Sequence, residues 1–175
     1  MTGIDEPIHL SNYDVRWPTQ FVVEAARLQK ELPSNVIVEH IGSTAVPGLC
    51  AKPVIDIMVG AEPDSSWKEI GQRLTALGYE DMGEAGVPGR VYFRIRTGTA
   101  FNIALVTRNG THWNNNLTLR DYLRIHADQA REYADVKRTA VADGANSLLA
   151  YSERKSDAIV RLIRKALEWV DEGPA

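Results

Sequence analysis

Cysteine is all but absent from this 175-residue sequence, with Cys50 the only one. That excludes an intramolecular disulfide and any zinc site built from clustered cysteines. A lone cysteine in a loop reads as a small hydrophobe rather than a nucleophile. Long apolar runs are missing too: none approaches the ~20 residues that a membrane-spanning helix requires. The polar, acidic N-terminus lacks a basic region followed by an apolar one, so a cytoplasmic protein without membrane contact is expected. Charge of one sign is scarce, since 20 Lys and Arg face 23 Asp and Glu for a formal net charge of −3. No global field then draws nucleic acid to the molecule, and nucleic acid is not the expected partner. Repeats, low-complexity tracts and linkers are also lacking. With 44% hydrophobic and 25% charged residues, the chain is expected to form one globular domain over residues 1–175.

The chemistry concentrates between Val36 and Gly60, VIVEHIGSTAVPGLCAKPVIDIMVG. Two β-branched runs, Val36 to Ile41 and Val54 to Val59, read as strands around a loop containing Gly42, Ser43, Pro47, Gly48 and Pro53. Alternation puts Val54, Asp56 and Met58 on one face of the second strand and Ile55, Ile57 and Val59 on the other. A carboxylate thus interrupts an apolar strand. The loop offers a reason: Gly42 permits close backbone approach to a phosphate, Ser43 and Thr44 add hydroxyls, and Lys52 adds a compact positive charge. Asp56 beside them suits a metal ion. His40 abuts the loop on the face of Val36 and Val38. It fits a structural histidine that fixes the loop better than a general base, and its position groups it with the phosphate-side residues.

Along the rest of the chain, residues 1 to 12 read as a loose lead-in. Pro18 to Leu32 reads as a helix with Phe21, Val22, Ala25 and Leu28 on its apolar face, ended by Pro33. A turn through Glu62 to Ser65 leads to a helix from Ser66 to Leu77, stopped by Gly78. The Gly- and Pro-containing segment from Gly83 to Gly89 reads as a flexible loop. VYFRIR alternates Val91, Phe93 and Ile95 against Tyr92, Arg94 and Arg96, and pairs as a hairpin with the run Phe101 to Val106. Helices are expected near Thr118 to His126, Asp128 to Ala142 and Ser147 to Val170. His112 and His126 read as surface or cap residues, and Trp113 as a loop anchor before a base-stacking platform. Strands in the first two thirds and helices in the last third predict an α+β fold. Three pairs four residues apart, Arg120 with Arg124, Tyr133 with Lys137 and Tyr151 with Lys155, each project from one helix face. They could converge on phosphates at the Ser43 loop, or pair with Asp121, Asp128, Glu132 and Asp135.

The run EHIGSTAVPGLCAKPVIDI resembles the signature of the GrpB (UPF0157) family, a branch of the nucleotidyltransferase superfamily. Tyr13 to Trp17 resembles the family's Y-x-x-x-W entry motif, LRDYL at Leu119 to Leu123 its FRDYL-type segment, and Tyr151 to Lys155 its late Y-x-x-x-K; the likeness runs from about residue 8 to residue 170. Two departures stand out. If Asp56 matches the second acid of the superfamily's D-x-D, Val54 occupies the first position, and Asn102 and Ala104 stand where the family carries H-x-H.

The resemblance implies a nucleotidyltransferase-like mixed β-sheet with the Val54 strand internal and helices packed on one face. The opposite face would be concave and hold Asp56 and Arg94. It implies a transferase moving a nucleotidyl group from an NTP to a small acceptor, with Mg2+ delivered alongside the NTP. Asp56 would be the catalytic and metal-binding acid. Ser43, Lys52 and Arg94 would hold phosphate, joined by Lys137 and by Arg120, Tyr151 and Lys155, which the resemblance draws toward the site. The missing acid and histidines give an alternative, a catalytically lapsed module that binds a nucleotide or another anionic metabolite. Because GrpB-like domains occur joined to dephospho-CoA kinases, a third reading is an accessory role in coenzyme A metabolism.

Overall fold

The computed structural model describes residue 3 and residues 5–63 and 67–173. Pro18 opens helix α1 (Trp17–Glu31), where its missing N–H breaks no helical hydrogen bond. Next come β1 (Ile37–Ile41), a 3₁₀ turn at Ser43–Ala45, β2 (Ile55–Ala61), α2 (Trp67–Ala76), β3 (Glu80–Asp81), β4 (Arg90–Ile95) and β5 (Phe101–Thr107). Three helices complete the chain: α3 (Thr111–Ile125), α4 (Ala127–Ala142) and α5 (Leu148–Glu172). The expected α2 cap falls in part on residues 64–66, outside the described residues.

The five strands form one sheet in the order β1-β2-β5-β4-β3. β2 pairs antiparallel with β1 and parallel with β5, and β4 is antiparallel to both β5 and β3. The sheet is therefore mixed with β2 internal, as expected. One face carries Ile55, Ile57, Val59, Phe93, Phe101, Ile103 and Leu105, and α1 and α2 cover it through Trp17, Ala25, Leu28, Ile70 and Leu74. Removing this apolar surface from water, at roughly 25 cal/mol per Å², is the main force holding the two helices on the sheet.

The second face has a helix of its own. Trp113 of α3 packs there with Ile41, Met58 and Val106, so it anchors the helix. A Cβ on Gly60 would come within 2.2 Å of its ring, so only glycine lets the indole lie on the strand. That contact also explains why α3 begins at Thr111 rather than Thr118: Trp113 ties the Asn-rich stretch down, and Asn116 Nδ2 bonds the His112 carbonyl at 2.8 Å. Packing overrides the loop propensity of the asparagines.

Three other expectations are corrected. Residues 5–12 are not a loose lead-in, because Pro7 bridges to Ser147, Ser11 bridges to Ala51, and the Leu148 N–H donates to the Glu6 carbonyl at 2.8 Å. Val22 is 61% exposed rather than in the core, since the buried stripe of α1 runs through Trp17, Glu24, Ala25 and Leu28. The Gly83 to Gly89 loop is tied down: Arg90 reaches the carbonyls of Glu84 and Ala85, and His112 bonds the Pro88 carbonyl at 2.8 Å.

Candidate functional site

Strand register builds the floor of the site. Asp56 of β2 stands opposite Ile41 of β1 and Asn102 of β5; Asn102 stands opposite Arg94 of β4, and Arg94 opposite Glu80 of β3. Directly opposed residues share a face, so Asp56, Asn102, Arg94 and Glu80 form one polar rung on the face that α1 and α2 leave free. Asp56 and Arg94 share that face, as expected, but Arg94 is turned to acids: Glu80 at 2.9 Å and Glu6 at 3.7 Å.

A chain of contacts orients Asp56. Glu6 Oε1 accepts from Arg96 Nη2 at 2.7 Å, Arg96 Nη2 donates to Asn102 Oδ1 at 2.8 Å, and Asn102 Nδ2 donates to Asp56 Oδ1 at 2.6 Å. Arginine has only donors, so it fixes the Asn102 amide with its NH2 toward Asp56. Arg96 holds the Glu6 carboxyl below its usual range. The other Asp56 oxygen faces Gly42, where an added Cβ would lie 2.7 Å from it. Gly42 has φ 72° and ψ −170°, a region open essentially to glycine alone. It therefore makes the turn and leaves space for the carboxylate.

Two lysines face this acid, and a third meets Ser43 in the adjoining loop. Lys52 Nζ lies 4.0 Å from Asp56 Oδ1, with the two side chains 16% and 29% exposed; burial lowers its pKa, and Asp56 opposes that shift. Lys155 of α5 rests over the Tyr151 ring at 5.0 Å. Its pKa too is lowered by burial, against the attraction of Asp56. Lys137 of α4 rests over Tyr133 at 4.7 Å and donates to Ser43 Oγ at 3.0 Å and to the Cys50 carbonyl. It is 1% exposed, and burial lowers its pKa to about 7. The two Tyr/Lys pairs seen in the sequence thus converge from two helices on the loop after β1. Tyr151 and Tyr133 are buried, and desolvation holds both phenols protonated.

Other expected residues lie apart. His40 points to the α1 side, stacks on Phe21 with ring centroids 4.6 Å apart, and bonds Thr44 Oγ1 at 2.9 Å. Burial lowers its pKa to about 4, so it stays neutral and braces the loop from behind. Thr44, its partner, is buried there as well. Arg120 bonds Glu39 at 2.8 Å, Asp121 at 2.8 Å and the His40 carbonyl at 3.1 Å. It braces β1 rather than joining the lysines. Arg124 similarly holds the Ala45 carbonyl at 2.9 Å.

Sequence reasoning left Arg96 and Glu6 out of the site. The alternation of VYFRIR already set Arg96 beside Arg94, whereas a lone glutamate in an unpatterned N-terminal segment carries no signal at all.

Magnesium favours several oxygen donors in octahedral array. Asp56 is one carboxylate, Val54 is apolar where a first acid was sought, and Asn102 turns its N–H groups to Asp56. No group of three His, Cys, Asp or Glu able to hold a metal ion occurs among the described residues. The side chains present do not fit a resident two-ion centre.

A family model described as GrpB protein matches residues 7–165. A UPF0157 protein of Streptomyces coelicolor is 36% identical over 161 residues, covering 91% of this chain and 84% of that protein. The crystal structure of GrpB from Enterococcus faecalis superposes with a TM-score of 0.82 at 32% identity, covering 91% of this chain and 98% of that one. Terminal uridylyl transferase 4 from Trypanosoma brucei, solved with bound UPU, gives a TM-score of 0.52 at 14% identity over 84% of this chain and 53% of that one. The last likeness is one of fold, and it makes the architecture nucleotidyltransferase-like.

Proposed function

The chain belongs to the GrpB family, and from that premise we propose that its Asp56 pocket binds the phosphate chain of a nucleotide. The observation that carries this reading is the convergence of Lys52, Lys137 and Lys155, from a loop and two helices, on Ser43 and a single carboxylate. Lysines partly desolvated in this way are compensated when an anion enters. Lys52 and Lys155 supply the charge, Ser43 the hydroxyl contact, and the Glu6, Arg96 and Asn102 chain holds Asp56 in place.

Melting temperature in the presence of each nucleoside triphosphate, with and without magnesium, tests this, because a ligand of the native state raises apparent stability by mass action. At least one triphosphate should stabilise the protein, Lys52→Ala should abolish the effect, and Asp56→Asn should tighten metal-free binding about tenfold by removing a like charge. No stabilisation by any triphosphate at millimolar concentration would overturn the proposal.

A second reading is favoured by Asp56 itself, whose position beside the Gly42–Ser43 turn leaves one oxygen toward the loop. In that reading a nucleotidyl group passes to a small acceptor, with magnesium entering as part of the NTP. Pyrophosphate release that Asp56→Asn lowers by orders of magnitude would establish it. Release unchanged by that substitution would dismiss it.

A further inference from the structure

Lys137 differs from the two lysines that supply charge. Burial normally demands that an ammonium be paired with an acid, yet among the described residues no carboxylate forms an ion pair with Lys137, and the opposition to the downward shift in its pKa comes from Cys50. Its two polar partners are Ser43 Oγ at 3.0 Å and the Cys50 carbonyl. The ammonium form donates to both; once deprotonated, the amine still donates an N–H to the carbonyl and turns its lone pair to Ser43, reversing that bond so that it accepts the hydroxyl proton. Tyr133 adds a third group, a buried and protonated phenol hydrogen-bonded to Ser43. Ser43 is half-buried while Lys137 behind it is sealed from water. An approachable hydroxyl backed by a dry amine is how a serine nucleophile with a lysine base is built.

We propose that Ser43 and Lys137 form a nucleophile and general-base pair that attacks an electrophilic phosphorus. As the Ser43 Oγ–P bond forms, the hydroxyl proton passes to Lys137 Nζ and the bond from phosphorus to its leaving group breaks. For a nucleoside triphosphate attacked at the α-phosphorus, the leaving group is pyrophosphate and Ser43 becomes the acceptor of the nucleotidyl group. The identity of that electrophile rests on the proposed nucleotide reading; the Ser43–Lys137 pair does not.

A fluorophosphonate probe, which loses fluoride to an activated serine, separates the two. Incubated with the full chain and mapped by peptide mass spectrometry, it should modify Ser43, with a rate that climbs with pH and levels off above about 7. Lys137→Met and Lys137→Arg should each slow modification about a hundredfold. Arginine keeps the donors but is always charged and cannot act as a base, so its failure to rescue distinguishes a base from a brace. No adduct on Ser43 of the wild type, or an adduct formed equally fast in Lys137→Arg, would overturn the pair. ATP should protect Ser43 from the probe. Modification of Ser43 that ATP does not slow would retain the pair and reject the nucleotide as its substrate.

Discussion

The two faces of the sheet bury charge in opposite ways. Toward α1 and α2, Glu24 is buried and fully matched: Arg27 holds it through contacts of 2.7 to 3.2 Å, and the Tyr79 hydroxyl donates to it at 2.6 Å. Toward α4 and α5, Lys137 is more deeply buried, yet among the described residues it meets no carboxylate, only the Ser43 hydroxyl, the Cys50 carbonyl and the Tyr133 ring. A matched charge is sufficient in itself and links α1 to the segment before β3. An unmatched one lowers the stability of the empty protein, and such groups concentrate where a ligand or a reaction requires them.

Breaking the matched side should show the largest effect. Glu24→Ala leaves the buried Tyr79 hydroxyl without its acceptor and Arg27 without its acid. Arg27 is 40% exposed at its side chain and regains water, so the tyrosine dominates and the loss should be about 3 kcal/mol in urea unfolding. Nucleotide binding, on the far side of the sheet, should be untouched once the variant is folded. A loss of binding without a loss of stability would contradict the division between the faces.

Gly42→Ala should come next, at about 2 kcal/mol, because it forces a side chain into a glycine-only conformation. Here stability and site should fail together, since the new methyl would press on the Asp56 carboxylate 2.7 Å away. A melting curve beside a nucleotide titration checks both. A full-strength site in a destabilised Gly42→Ala variant would show that Asp56 tolerates displacement.

This difference between the faces was only half visible in the sequence. Alternation in VIDIMV and VYFRIR set Asp56 and Arg94 on one side of the sheet, because a period of two is a local property. The helix spacing of Tyr133 with Lys137 and Tyr151 with Lys155 was equally local. What distinguishes Lys137 from Arg120 is not: both are cations on amphipathic helices, and only the tertiary arrangement sends one to Ser43 and the other to Glu39. His40 shows the same limit. Its parity with Val36 and Val38 was legible, but its stacking on Phe21 depends on where α1 docks. The pinning of residues 5–12 depends on long-range partners, Arg96 for Glu6 and Ser147 for Pro7, which no local pattern announces.

The smallest expected change in stability is also the sharpest contrast with Glu24. Lys137→Met keeps the apolar stem of the side chain and its packing against Tyr133 while removing the amine. Ser43 Oγ and the Cys50 carbonyl each lose a hydrogen-bond partner, and that loss is offset by no longer desolvating an ammonium, so at neutral pH the variant should lie within about 1 kcal/mol of wild type. The sign of the pH dependence separates them. A lysine with pKa about 7 in the fold and about 10.4 in the unfolded chain binds fewer protons when folded between those values, so wild-type stability rises with pH across that window. Below about 7 both states are protonated and the penalty is complete. The methionine variant has no such slope at this position, so it should compare best with wild type at pH 6 to 7 and lose ground steadily toward pH 10. Parallel stability curves for the two proteins, measured by urea unfolding over that range, would mean that Lys137 stays charged in the fold. In that case it would be a buried cation awaiting an anion, and not a base.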